Sequence, residues 1–204
     1  LAGRLAGAVD TRTGRALPWR PDPNHLISAL AVHNGTLYAG GWFTSLGPRV
    51  HRRGLAAFDA GTGAVTDWNP GPDGMVQALG VRDAKVYVGG AFSTIGGQAR
   101  ANVAAVDSAT GLATEWNPSC NGSVWSLAVA DSTVYVGGWF ENVGGQPRKN
   151  LAAVDRISGL PTPWRPDPND IVTTIAPHGE VVFAGGFFIA MAMQQWRLHE
   201  RLAL

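Results

Sequence analysis

The chain has 204 residues, 45% of them hydrophobic and 15% charged, which is enough apolar material for a packed core and excludes a disordered tail. Its 27 glycines and 13 prolines exclude long helices and point to short strands joined by many turns. Sixteen basic against fifteen acidic residues leave a net charge of +1, so no electrostatic footprint for nucleic acid or an anionic membrane is present.

No apolar run reaches the roughly 20 residues of a membrane helix, so membrane insertion is not expected. The stretch Leu1-Ala-Gly-Arg4 reads as neither a charged n-region nor an h-region. A start at Leu1 suggests a piece of a longer parent chain. Cys120 is the one cysteine, which excludes an internal disulfide and a cysteine-based metal cluster.

Self-alignment gives a period. Tryptophans fall at Trp19, Trp68, Trp116 and Trp164; Gly-Gly pairs begin at Gly40, Gly89, Gly137 and Gly185; aspartates fall at Asp10, Asp59, Asp107 and Asp155. Each series steps by 49, 48 and 48 residues, the signature of a duplicated structural unit. The extra residue of the first step lies in Gly47 to Gly54, which is therefore a loop.

In chain order, residues 1–20 are expected to supply the last two strands of one unit. Full units follow at 21–69, 70–117 and 118–165, and residues 171–188 supply the first two strands of another. In the third copy the four expected strands are Val124 to Val129, Thr133 to Val136, Asn150 to Asp155, and Pro161 to Trp164. Four strands per repeat of this length is the arithmetic of a β-propeller blade. The fold class expected is therefore all-β, a propeller of four repeats over residues 1–188.

The two half-units could pair and close a ring of four blades, but an arc of a larger propeller is the preferred expectation. Residues 189–204 abandon the pattern for strong helix formers without glycine, so a divergent helical or irregular tail is expected there, either native or the product of a shifted reading frame.

The unit Val134-Tyr-Val-Gly-Gly-Trp-Phe-Glu-Asn-Val-Gly-Gly-Gln-Pro-Arg-Lys-Asn-Leu-Ala-Ala-Val-Asp155, continuing to Trp164, resembles the bacterial delta-60 type propeller repeats and, more distantly, kelch repeats. The resemblance implies a secreted or cell-surface propeller whose biochemical role is mostly unassigned. Ala57-Phe-Asp-Ala-Gly-Thr-Gly63 followed by Trp68 is also similar to the tryptophan-docking motif of quinoprotein propellers, with four residues rather than three between glycine and tryptophan. That motif packs blades, and no matching set of quinone-binding or calcium-binding residues accompanies it.

Trp19, Trp68, Trp116 and Trp164 are expected in the packing between blades, and Asp10, Asp59, Asp107 and Asp155 as caps of the turn after the third strand. Arg52, Arg100 and Arg148 recur as a framework residue, within a basic loop that includes Arg49, His51 and Arg53 in the first copy. Asn24, Asp73, Asn121 and Asn169 lead into the innermost strand. Their side chains either make that turn or ring a channel mouth where a polar ligand or calcium, aided by Asp22, Asp167 and Asp170, could bind. No other cofactor is expected, nor any metal site: His33 and His178 share one turn position, three repeats apart.

Positions that differ between blades are where function could have been added. After the Gly-Gly pair stand Trp42, Ala91, Trp139 and Phe187, and the innermost strand carries Ser28, Gln77, Trp125 and Thr173. Exposed, Trp42, Trp125 and Trp139 would suit stacking on sugars or gripping a peptide; buried, they would be filler. The expectation is a non-catalytic scaffold that binds a protein or glycan, with a propeller enzyme as the alternative.

Overall fold

The computed structural model describes residues 6–186, and the expected tail at 189–204 lies outside them. The first repeat comprises β1 (Ile27–His33), β2 (Thr36–Gly41), β3 (Ser45–Leu46), β4 (Val50–His51) and β5 (Leu55–Asp59). The second comprises β6 (Met75–Arg82), β7 (Lys85–Ala91), β8 (Thr94–Ile95), β9 (Gln98–Ala99) and β10 (Val103–Asp107). In the third are β11 (Ser123–Val129), β12 (Thr133–Trp139), β13 (Asn142–Val143), β14 (Gln146–Pro147) and β15 (Leu151–Asp155), and β16 (Thr174–His178) with β17 (Val181–Gly185) begins a fourth.

Each complete repeat is an antiparallel three-stranded sheet in the order first, second, fifth strand, with the intervening short pair folded into a separate two-stranded ribbon. In the second and third repeats that ribbon turns on Gly96-Gly97 and Gly144-Gly145, all four at positive φ, the backbone that a tight two-residue hairpin requires. The loop expected at Gly47 to Gly54 in the first repeat carries the second strand of its ribbon, β4. The outermost strand expected at Pro161 to Trp164 is reduced to a single bridge, Val154 to Pro161, matched by Phe58–Val65 and Val106–Ala113. In the third repeat Pro161 and Pro163 remove ladder donors that a longer strand would need.

The core lies between sheets. One apolar cluster joins Tyr38, Leu55, Ala57 and Trp68 of the first repeat to Val76, Val86, Val88 and Phe92 of the second. Another joins Tyr87, Val103, Ala105 and Trp116 of the second to Val124, Val134, Val136 and Phe140 of the third. The Gly-Gly pairs make this approach possible. A Cβ on Gly40 would lie 2.5 Å from Val76 Cγ1, on Gly89 2.5 Å from Val124 Cγ1, and on Gly137 2.7 Å from Val172 Cγ1, each valine belonging to the next repeat. The second glycine serves its own sheet: a Cβ on Gly41, Gly90 or Gly138 would meet a carbonyl oxygen of the innermost strand's approach at 2.0–2.1 Å. Gly185 holds the equivalent first-glycine position and pairs with Thr174.

The innermost strands β1, β6, β11 and β16 pack side by side in chain order. Among the described residues β17 pairs only with β16, and Val9 bridges only Ala16, so the two half-units do not complete a common sheet. The described residues form an arc.

Candidate functional site at the entrance to the innermost strands

The step into each innermost strand is built the same way. Asn24 Oδ1 accepts from the backbone N–H groups of Thr44 and Ser45 at 2.8 and 3.1 Å, and its Nδ2 donates to Thr44 Oγ1. Asp73 accepts from the N–H groups of Ser93 and Thr94 and, at 2.5 Å, from the Ser93 hydroxyl. Asn121 accepts from Glu141 and Asn142. Burial pushes the Asp73 carboxyl upward, but the Ser93 and Thr94 donors outweigh it and hold the pKa at about 2. These three side chains tie the ribbon of their own repeat to the strand entrance, and Asn169 stands exposed at the same step before β16.

The calcium reading relied on the neighbouring aspartates. Asp22 and Asp167 occupy a left-handed backbone position that Gly71 and Ser119 fill in the other repeats, so the turn explains their recurrence. Asp167 also accepts from the Lys149 N–H and pairs with Arg165. Among the described residues no three His, Cys, Asp or Glu side chains gather as a metal site.

The side chains that differ between repeats stand beside this framework. Ser28, Gln77 and Trp125 each fall at a register shift between the first and second strands, so each is the extra residue of a β-bulge. A bulge leaves its extra residue out of the ladder and re-aims that side chain, so no cross-strand partner fixes the residue type at this position. Thr173 holds the same place before β16 and donates to the Gly185 carbonyl. At the far end of the second strand, Trp42 is 44% and Trp139 67% exposed, while Ala91 between them in the repeat order carries only a methyl group. Trp42 stacks on His25, ring centroids 5.6 Å apart and 14° from parallel. Trp125 is half-buried.

The repeated tryptophans divide by position. Trp68 and Trp116 are buried, and their indole N–H groups donate to the Asp107 and Asp155 carbonyls of the next repeat at 3.0 Å. Tyr38 and Tyr87 meet them edge-on at 5.1 Å. Trp19 is half-buried against Phe58, and Trp164, edge-on to Tyr135, is 38% exposed.

Asp10, Asp59, Asp107 and Asp155 each accept two backbone N–H groups and one hydroxyl from Thr13, Thr62, Thr110 or Ser158 and the residue before it. Those donors hold all four carboxyls below their ordinary range. Arg52, Arg100 and Arg148 donate to the Thr66, Thr114 and Thr162 carbonyls at 2.6–2.8 Å, which removes Arg52 from the basic loop. The Cys120 thiol is buried and pushed up to about 12, which leaves it inert as a nucleophile or thiolate ligand.

Sequence reasoning missed two groups. Asn102 and Asn150 sit at φ 64° and 59° where the first repeat has Gly54, and their side-chain oxygens accept from Phe92 and Phe140. The exchange of glycine for asparagine at one repeat position was the available signal. At the opposite end of the sheets, Arg156 pairs with Asp83 at 2.7 Å and Arg82 with Asp131, linking the second and third repeats.

Residues 130–152 match the family model described as a domain of unknown function (DUF5122), beta-propeller. No curated protein matches the chain. Among solved structures, the computationally designed Ika4 protein is similar with TM-score 0.55 and 19% identity over 80% of this chain and 87% of that one. A chain of the mitotic checkpoint complex gives 0.64 and 14% over 89% of this chain and 51% of that one. BamB from Moraxella catarrhalis gives 0.53 and 17%, over 88% and 48%. The chain thus spans about half the length of these last two. Repeat, sheet order, inter-sheet cores and these likenesses define an all-β propeller arc. Among the described residues no helix is long and apolar enough to cross a membrane.

Proposed function

We propose that this propeller arc is a non-catalytic binding scaffold of a secreted or cell-surface protein of the delta-60 repeat type, and that it grips a glycan or peptide with its strand-entrance tryptophans. The observation that carries the reading is the exposure of Trp42 and Trp139, 44% and 67%, at the same position of two repeats. An indole left in water forgoes the burial of roughly 150–250 Å² of surface, and such residues dominate binding energy where a partner covers them. Ala91 between them leaves a step for a ring or side chain to enter. The polar residues beside them are tied to local backbone, which supports a scaffold over an enzyme needing several unlike acids and bases.

The test is calorimetry of the chain against a panel of oligosaccharides and extended peptides, repeated with Trp42→Ala and Trp139→Ala. Each replacement should weaken binding by about tenfold or more, or roughly 1.4 kcal/mol, with Trp139→Ala leaving the melting temperature nearly unchanged and Trp42→Ala, which also loses the stack on His25, lowering it by about 2–4 °C. A ligand held with undiminished affinity by the double variant would sink this reading.

A further inference from the structure

We propose that the cleft between the first and second repeats, at the hairpin end of their sheets, binds the guanidinium of an arginine side chain on a partner polypeptide. This site is independent of Trp42 and Trp139, which stand at the opposite end of the sheets. Two interfaces within the chain, compared position by position, carry the inference.

The interface between the second and third repeats supplies the template. Arg156 follows the repeated Asp155 and reaches the hairpin turns that join β6 to β7 and β11 to β12. Its Nε donates to the Asp131 carbonyl at 2.6 Å, and a terminal nitrogen donates to the Asp83 carboxylate at 2.7 Å. The guanidinium lies near the Tyr87 hydroxyl, and the side chain is only 17% exposed. A planar cation is thus held by acceptors from two successive repeats, the arrangement for which the donor fork of a guanidinium is suited.

The interface between the first and second repeats uses the same positions with a serine in place of the cation. Ser108, one residue after Asp107, stands where the next copy has Arg156. Beside it opens a cleft of about 560 Å³ lined by His33, Asn34, Thr36, Tyr38, Asp83 and Ser108. Every one of these residues belongs to a repeat that is complete among the described residues. Asn34, Tyr38 and Asp83 are the counterparts of Asp83, Tyr87 and Asp131. The receiving groups are therefore kept: the Asn34 amide oxygen replaces a carboxylate, and the Asp83 carbonyl replaces that of Asp131. Asn34 and Asp83 share a left-handed backbone, φ 46° and 54°, so the two turns present them alike. Among the described residues no group donates to the Asn34 side chain or to the Asp83 carbonyl.

The surroundings favour a cation. The Thr36 and Ser108 hydroxyls lie near that of Tyr38, and the Asp107 carboxylate acts on the same phenol, so the floor of the cleft is polar and in a negative field. Its volume is within the range of roughly 300–1,000 Å³ typical of ligand pockets and exceeds what a guanidinium alone fills. An arginine entering from outside brings its stem and flanking backbone, which occupy the remainder.

The experiment is calorimetry of the full chain against N-acetyl-argininamide, N-acetyl-lysinamide and the pentapeptide Gly-Gly-Arg-Gly-Gly. Saturable binding of one arginine per chain is expected, about tenfold tighter than lysine and tighter again for the pentapeptide. Asn34→Asp copies Asp83 at the same left-handed turn and should tighten both arginine probes by about tenfold, with lysine still behind. Adding Ser108→Arg to that variant rebuilds the Asp83–Arg156 pair within the chain and should abolish binding without lowering the melting temperature. If the doubly substituted chain does not fold, Asn34→Asp alone still decides. No arginine binding by the unmodified chain, or an affinity that Asn34→Asp leaves unmoved, would overturn the proposal. Equal affinity for lysine would reduce the site to a charge effect and overturn it as well. Binding of N-acetyl-argininamide as tight as that of the pentapeptide would overturn the polypeptide source and leave a small guanidino compound as the ligand.

Discussion

Trp116 and Trp164 hold the same place in successive repeats, so Trp→Ala at the two positions isolates the contribution of the neighbouring repeat. Trp116 is 2% exposed, donates to the Asp155 carbonyl at 3.0 Å and meets Tyr87 edge-on at 5.1 Å. Removing a buried tryptophan costs about 3–5 kcal/mol through lost transfer free energy and the cavity left behind. Among the described residues Trp164 meets Tyr135 edge-on and is 38% exposed, so its removal should cost about 1 kcal/mol. For a chain of this size those values correspond to falls of roughly 6–20 °C and 2–4 °C in melting temperature. Guanidinium melts followed by circular dichroism measure both. Trp116→Phe adds a check, since it keeps one aromatic ring but loses the donor and part of the buried volume, at about 1–3 kcal/mol. Equal costs at Trp116 and Trp164 would refute the view that stability lies between the sheets.

Two further outcomes follow from the same geometry. The folded-state pKa of Asp73, about 2, lies below the ordinary value near 3.9, so its contribution to stability is fully present above pH ~4 and is lost as pH falls towards 2. Asp73→Asn should flatten that part of the acid-unfolding profile, and an unchanged profile would count against the Ser93 and Thr94 bonds. Gly89→Ala places a methyl group 2.5 Å from Val124 Cγ1 and should destabilise by about 1–3 kcal/mol, with Val124→Ala restoring part of the loss in a double-mutant cycle. Additive costs would mean that the two residues do not touch.

The repeat was legible because Trp, Gly-Gly and Asp recur at fixed steps, and three of the four expected strands form: an alternating run bounded by turn residues, a β-branched and aromatic run into the glycines, and the run that ends at the repeated aspartate. The shortening of the outermost strand was not, although Pro161 and Pro163 in the third copy carried a hint of it. The bulges at Ser28, Gln77 and Trp125 share no residue type, so no side-chain pattern announces them. Only the second glycine of each pair, forced small by a carbonyl at about 2 Å, marks the opposite strand. Exposure at the ends of the arc was equally hidden: Leu30 reads like Leu79 and Leu127, and what separates them is that, among the described residues, only the latter two have a preceding sheet packed against them.

That last contrast says where function can reside in a chain of this kind. A residue repeated in every unit is explained by the contact that every unit makes: the glycines by the next repeat's valine, the aspartates by their Thr or Ser turn, the entrance Asn and Asp by the ribbon backbone. Such residues are occupied by the architecture and cannot be exchanged without cost to it. The bulge and the residue after the glycine pair are different, because the ladder closes around the first and the sheet ends at the second. Side chains there range from Ser28 to Trp125 and from Ala91 to Trp139 on one unchanged backbone. The recognition proposed for this chain would therefore rest on positions the fold leaves unconstrained, and replacing Trp139 with alanine copies what the second repeat already tolerates at Ala91.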